Sequence, residues 1–252
     1  MTVFDAYAAY YDLLYRDKAY GEEAGYVLGL LANHGVRTGS LLELGCGTGR
    51  HAEHFARSGF EIHGIDLSPA MVEQAAKRFE TVASRHRFEV GDIRAVRLQR
   101  EFDAVVSMFH VFSYQSTNDD LDRAFQTAAL HLRQGGVFVF DFWYGPGVLT
   151  DRPAVRVREM SDDRIDLVRI AEPRFLPNEN CVDVHYRVLL TDRSTGHAHR
   201  FEETHRMRYL FLPEIVQMAG VHGLEIAVAY AGQTRQAPGF DAWTGTAVAI
   251  RK

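Results

Sequence analysis

The sequence predicts an α/β protein: an open, mostly parallel sheet covered by helices and interrupted by an antiparallel β insertion. Three observations carry that prediction. Apolar strand-like runs alternate with helix-period segments between about 41 and 140, and a glycine-rich turn joins the first strand to its helix. After about 143 the helices stop and four strand patterns follow one another.

Each element has its own signal. Ala24, Val27, Leu28 and Leu31 recur at helical spacing and predict a helix over 21–33. Residues 41–44 read as a short buried strand, 49–57 as a helix, and 60–65 as a strand ending in Asp66. Ser68 followed by Pro69 is a helix start, since the hydroxyl satisfies a free N–H and proline needs none. Met71, Val72, Ala75, Ala76 and Phe79 continue that helix. Residues 86–90 give a third strand closed by Gly91-Asp92, and 102–108 a fourth. Leu121, Ala124, Phe125, Ala128 and Leu132 share one face of a helix over 118–132, which Gly135-Gly136 separates from the apolar strand 137–140.

Beyond that point 155–158, 165–170, 182–190 and 201–212 read as strands. Val182-Asp183-Val184-His185-Tyr186 alternates as a sheet with one wet face does. Pro213 opens a helix that ends between Gly220 and Gly223, and 224–230 and 244–250 are the last strands. One α/β domain is therefore expected from 1–142 and 213–252, with a helical lid at its N-terminus. The insertion, 143–212, is expected to serve acceptor binding, oligomerisation or both.

A chain of 252 residues buries one full core, and 46% hydrophobic with 24% charged residues is ordinary for a soluble globular protein. Net charge of −5 argues against a long phosphate-tracking surface, so nucleic acid is not an expected partner. The start lacks the basic flank and apolar run of a signal peptide. No apolar run approaches the ~20 residues needed to span a bilayer. Two cysteines, Cys46 and Cys181, make no disulfide framework. A cytoplasmic protein without a membrane partner is expected. His51 and His54 stand three apart on a helix without further ligands, and read as a solvated face and not a metal site.

The chemistry concentrates in Leu41-Leu42-Glu43-Leu44-Gly45-Cys46-Gly47-Thr48-Gly49-Arg50, a strand running through alternate glycines into a helix. Such a turn lets backbone approach a ligand, and the helix start beyond it suits polar or anionic groups. Glu43 at the strand's edge is placed to accept from an ammonium or to hold the turn. Asp66 would accept from two ribose hydroxyls, and Asp92 from an exocyclic adenine amine. All three leave the carboxyl ends of neighbouring strands, where open α/β sheets bind ligands.

Taken in order, the E-x-G-x-G-x-G turn, Asp66, Gly91-Asp92, the Phe102-Asp103-Ala104-Val105 strand and the Leu132-Arg133-Gln134-Gly135-Gly136 turn resemble class I S-adenosylmethionine-dependent methyltransferases over about 38–142. Dinucleotide-binding oxidoreductases, the structural competitor, usually space their glycines G-x-G-x-x-G. The Tyr11-Asp12-x-x-Tyr15 start and the β insertion resemble the amino-sugar N-methyltransferases of antibiotic pathways, which include deoxysugar dimethylating enzymes and lincosamide N-methyltransferases. Similar sequences also methylate oxygen.

The resemblance implies a Rossmann-like class I methyltransferase sheet and S-adenosyl-L-methionine as cofactor, with S-adenosyl-L-homocysteine as product. It implies cofactor contacts from Tyr11, Tyr15, Glu43, Gly45, Gly47, Gly49, Asp66, Leu67, Met71, Asp92, Ile93 and Met108. Tyr15, in the N-terminal lid, would line the methyl group. His110, after the fourth strand, would be a base for oxygen, a proton acceptor for ammonium or a hydrogen-bonding wall, with Phe112 and Tyr114 shaping the same pocket. Stacking on a sugar ring falls to Trp143 and Tyr144, unless they are core. His205, Met207 and Tyr209 share one strand face; Arg206 and Arg208 on the other would suit a diphosphate, or form a polar outer surface.

The expected activity is N-methylation of an amino sugar or related amine. O-methylation and non-catalytic cofactor binding are the alternatives. The fourth strand ends Ser107-Met108-Phe109-His110, without the Pro-Pro-aromatic sequence typical of enzymes that methylate base amines. A homo-oligomer is expected because the alternating apolar residues from Val182 to Leu190 require a cover.

Overall fold

Sequence periodicity becomes structure along the computed structural model, which describes residues 14–80 and 85–252. Tyr11 lies outside the described residues. Helix α1 (Tyr20–Asn33) buries Tyr20, Ala24, Val27, Leu30 and Leu31 on one face. Strand β1 (Gly39–Leu44) is buried along its last four residues, as a central parallel strand must be. The chain continues through α2 (Arg50–Arg57), β2 (Phe60–Asp66) and α3 (Pro69–Phe79). Ser68 caps α3 by accepting the Met71 N–H at 3.3 Å. Strands β3 (Arg87–Val90) and β4 (Phe102–Ser107) precede a 3-10 turn at Val111–Tyr114 and helix α4 (Asn118–Leu130).

Strand β5 (Leu132–Tyr144) and helix α5 (Gly145–Thr150) lead into β6 (Arg156–Ser161), β7 (Ile165–Leu176), β8 (Cys181–Asp192) and β9 (Ala198–Leu210). The chain closes with α6 (Leu212–Val221), β10 (Leu224–Ala231) and β11 (Thr244–Arg251).

The first five strands form a parallel sheet in the order β3-β2-β1-β4-β5. Strand β11 pairs antiparallel with the far side of β5, and β10 with β11. This is a Rossmann-like sheet. At its C-terminal tip β5 also pairs through Trp143 and Tyr144 with Tyr209 and Leu210, which ties it to the antiparallel ladder β9-β8-β7-β6. On one face of the main sheet Phe112, Phe125, Phe138 and Phe140 stack, with centroids 4.6 Å apart for Phe138–Phe140 and 4.8 Å for Phe112–Phe140. On the other, Val27, Leu31 and Phe55 of α1 and α2 cover Leu41, Val106 and Val139.

Three differences from the sequence reading have local causes. Strand β5 begins at Leu132, not 137, because Leu132 pairs with Phe102 before the register shifts; Gly135, with φ +73°, lies inside the strand. Helix α4 accordingly ends at Leu130. Helix α5, with no periodic signal in so few residues, fits because Gly145 has no Cβ: one would lie 2.7 Å from the Phe211 ring.

The inserted ladder is covered within the chain. Val182, Val184, Met207 and Tyr209 pack on Val148 of α5, while Leu167 and Val188 pack on Leu14 and Met71. The cover that the alternation requires is thus supplied by α3, α5 and Leu14. No helix among the described residues is long and apolar enough to cross a membrane.

Candidate active site

The carboxyl ends of β1, β2 and β4 open onto a cavity of about 280 Å³. One wall is the glycine turn. Gly45 and Cys46 donate their N–H groups to the Ile65 carbonyl at 2.8 and 3.0 Å, which bends the chain off β1 across β2. Gly45 sits at φ +81°, and a Cβ there would collide with the Val111 side chain. Gly47 donates to Asp66 Oδ2 at 2.8 Å, and Ser68 donates to Asp66 Oδ1 at 3.0 Å. Asp66 therefore staples the turn to the α3 cap while facing the cavity. Burial pushes its carboxyl up, and the N–H donors of Ser68, Gly47 and Leu67 oppose that push.

Of the residues expected around a cofactor, Tyr15, Gly45, Gly47, Asp66, Leu67, Met71, Asp92, Ile93 and Met108 all line this cavity. Glu43 and Gly49 do not. Glu43 is buried beneath the turn, where desolvation and then the charge of Asp66 push its carboxyl well above the usual range. That is a position for holding the turn, not for meeting an ammonium in the cavity. Gly49, at φ +75°, precedes α2 and lies against α3, where a Cβ would come within 3.1 Å of Ala75 Cβ. Asp92 does face the cavity, but Arg94 grips it: Nε lies 2.9 and 3.0 Å from the two oxygens and Nη2 2.6 Å from Oδ2. Those bonds, against the effect of burial, hold the carboxyl below its usual range. Arg94 also reaches Asp120 at 2.7 Å.

The turn after β4 sets the position of His110. Phe109 and His110 both adopt left-handed conformations, φ +64° and +63°, and donate their N–H groups to the two Asp141 oxygens at 3.2 and 2.7 Å. This double turn sends the Phe109 ring into the cavity, edge-on to Tyr15 at 4.8 Å. The His110 imidazole has Nδ1 3.1 Å from Asp141 Oδ2 and its ring 5.8 Å from that of Phe109, and it is not among the described residues that line the cavity. Phe112 points into the phenylalanine core, Tyr144 is also core, and Trp143 packs on Trp243 at 4.6 Å.

His51 is a second correction. It is buried, lines the cavity and bonds Glu23 at 2.8 Å, so the solvated-face reading fails for it. Burial lowers the imidazole pKa, with the Glu23 hydrogen bond opposing. For Glu23 burial acts upward, but the bonds from His51 and Lys18 outweigh it and bring the carboxyl to about 2. Lys18 also sits 4.7 Å over the Phe109 ring. Tyr20, Thr48, Arg50 and Gln115 complete the wall and carry no signal in the sequence that marks them for it.

At the far end the cavity meets the inner face of the inserted ladder. Tyr15 and Tyr114 belong to its wall, and behind them lie Arg169, Tyr186, Glu203 and His205. Tyr114 Oη is 2.7 Å from His205 Nδ1, and Arg169 Nη1 donates to Tyr15 Oη at 3.4 Å while stacking over Tyr186 at 4.9 Å. On the other face Arg206 is taken up by Asp183, at 2.7 and 2.9 Å, and Arg208 by Asn118 and Glu214. Both guanidiniums are thus paired within the chain.

A cavity at the strand tips, a glycine turn without side chains and two carboxylates on neighbouring strands fit an adenosyl ligand. Comparison with known proteins agrees. A methyltransferase domain family matches residues 41–136. The dTDP-3-amino-3,4,6-trideoxy-alpha-D-glucopyranose N,N-dimethyltransferase of Streptomyces venezuelae is 35% identical over 201 residues, covering 79% of this chain and 81% of the relative. Streptomyces venezuelae DesVI superposes with a TM-score of 0.81 at 28% identity over 98% of each chain. SAM-bound CalS10 from Micromonospora echinaspora, an amino pentose methyltransferase involved in calicheamicin biosynthesis, superposes with 0.77 at 25% identity over 99% of this chain and 98% of that one. The chain is an S-adenosylmethionine-dependent methyltransferase and belongs to the family of the sugar N-methyltransferases.

Proposed function

We propose that the enzyme methylates the amino group of a nucleotide-linked amino sugar of an antibiotic pathway. The observation that carries this is the 35% identity to a dTDP-amino-sugar N,N-dimethyltransferase across four-fifths of both chains. Bound S-adenosylmethionine supplies a methyl group already activated on sulfur. Of the residues lining the cavity, Asp66, Leu67, Met71, Asp92 and Ile93 would hold its adenosine end, and Tyr15, Met108 and Phe109 would enclose the other. What remains for the protein is orientation and exclusion of water, and orientation alone supplies roughly 7–11 kcal/mol in well-aligned systems. An amine needs only to arrive without its extra proton, whereas a hydroxyl needs a base within reach.

The inserted ladder forms the acceptor wall in this reading. Its outer face keeps Val157 and Leu189 exposed, and these support a homo-oligomer through that surface. Cys46 and Cys181 are buried and form no disulfide, which suits the cytoplasm.

The test is incubation of purified enzyme with S-adenosylmethionine and a dTDP-3-amino deoxysugar, beside the matching 3-hydroxy sugar. Release of S-adenosylhomocysteine with the amine, and an acceptor heavier by one or two methyl groups, is the expected result. Release with the hydroxy sugar alone would replace the reading by O-methylation. Light scattering on the same preparation is expected to return a dimer or larger; a monomer at micromolar concentration removes the oligomer.

A further inference from the structure

We infer that Tyr114, His205 and Glu203 form a relay that takes up the proton released by the acceptor amine. Tyr114 is the catalytic residue that touches the amine, and His205 and Glu203 are positioning residues behind it. The inference rests on the amine-acceptor reading above.

The geometry brings three elements to one point. The 3-10 turn after β4 sets Tyr114 in the cavity wall, on the same side as Tyr15 and Phe109. Its hydroxyl lies 2.7 Å from His205 Nδ1. His205 and Glu203 stand two apart on β9 and so share its inward face. His205 Nε2 lies 3.5 Å from Glu203 Oε1, with side chains only 4% and 5% exposed. A carboxylate and an imidazole removed from water in this way are costly unless they interact with each other and with neighbours. Chemistry at the cavity's end gives them a use that packing alone does not.

Burial pushes the Tyr114 phenol well above its ordinary range, so the hydroxyl keeps its proton and donates it to Nδ1. With Nδ1 accepting from Tyr114, the ring's other nitrogen, Nε2, lies on the Glu203 side. A hydroxyl that donates still has two lone pairs, and on the cavity side of Tyr114 Oη an amine N–H can donate to them. Among the described residues, Tyr186 also faces the imidazole, perpendicular to it at 5.0 Å, with Arg169 and Tyr15 beyond that ring.

The step balances without a further reactant. The nitrogen lone pair forms the N–C bond to the methyl carbon, and the C–S pair stays with sulfur as the thioether. The proton left on nitrogen passes to Tyr114 Oη while the phenol proton moves to His205 Nδ1. The resulting imidazolium rests beside Glu203 until its proton is lost to water. A second methylation would repeat the cycle.

Tyr114→Phe, His205→Gln and Glu203→Gln in the full chain test this, with kcat and KM for the dTDP-amino sugar measured across pH. For Tyr114→Phe and His205→Gln, kcat is expected to fall by about a hundredfold near neutral pH, within the usual range for acid–base assistance. It recovers as pH rises and the product proton leaves more readily to solvent, while KM and the calorimetric affinity for S-adenosylhomocysteine stay within a few-fold. Glu203→Gln gives a smaller loss of the same form. An unaltered pH profile, or a loss confined to KM, overturns the relay and leaves these residues as a binding wall. Imidazole nitrogen NMR provides a readout that needs no turnover. His205 Nδ1 of the wild type is expected as an unprotonated acceptor that shifts in Tyr114→Phe; a proton resident on Nδ1 overturns the relay. A wild type that releases no S-adenosylhomocysteine with any amino sugar defeats the acceptor reading itself, and the relay with it.

Discussion

The two ends of the cavity are built on opposite principles. At the cofactor end the ligand surface is backbone and short side chains: Gly45, Gly47 and the Asp66 staple lie within two neighbouring strand tips. At the proposed acceptor end it is long side chains gathered from distant places, with Tyr114 and His205 meeting across 91 residues of sequence. A backbone cradle fixes one ligand for a whole family, because it depends on chain path. A side-chain wall can change acceptor by substitution while the chain path stays the same. The two ends should therefore respond separately to mutation.

The largest separation is expected from Gly45→Ala. A side chain at φ +81° costs roughly 1–2 kcal/mol, and the Val111 collision forces the turn open as well. Calorimetry is expected to show S-adenosylhomocysteine affinity lowered by about a hundredfold or more, which is about 2.7 kcal/mol. Gly35→Ala is the matched control, with φ +85° and nothing within 4 Å of the added carbon. It should lower thermal stability and leave cofactor affinity alone. Equal affinity loss in both variants would mean that the turn's conformation matters only to folding.

At the other end Arg169→Met keeps much of the side chain's length and removes the cation that spans Tyr15 and Tyr186. The acceptor KM is expected to rise about tenfold, close to 1.4 kcal/mol, with cofactor affinity within about twofold. A cofactor affinity that fell as far as the acceptor's would join the two ends into one site.

How much of this is legible in sequence follows the same division. Ser68-Pro69, Gly45, Gly47 and Asp66 can be read because their physics is local: a cap, a left-handed turn, a carboxylate at a strand tip. The position of Asp92 is equally legible, but its clamp is not, because Arg94 could equally have faced solvent. His51 departs from its expected solvated face because burial of that side of α2 depends on α1, whose Glu23 supplies the partner. The position of His110 depends on two consecutive left-handed residues held by Asp141, 31 residues downstream. Arg169, Glu203 and His205 have a usable signal: each occupies an inward position of a strand whose neighbouring inward residues are apolar, Leu167, Phe201 and Met207. Polar groups on such a face point to a site, although nothing in their spacing names the partner.

The smallest expected effect on ligand binding tests whether the cofactor end conceals a charge. Glu43 is buried beneath the turn, and among the described residues its Oε2 has no hydrogen-bond partner. Burial first, and Asp66 second, raise its folded-state pKa above the value it has in the unfolded chain. A raised folded pKa means that the stability linked to this group is fully present below the ordinary carboxylate range. It is lost as pH rises through the folded value. A glutamine side chain keeps the shape and does not titrate. Glu43→Gln should therefore gain on the wild type as pH increases across that window, by at most about 1.4 kcal/mol per pH unit in denaturant unfolding. Cofactor affinity should not move, because Glu43 is off the cavity wall. A stability difference independent of pH would show that the carboxyl ionises without cost. A fall in S-adenosylhomocysteine affinity would return Glu43 to the cofactor contacts and show that the cradle needs its charge as well as its backbone.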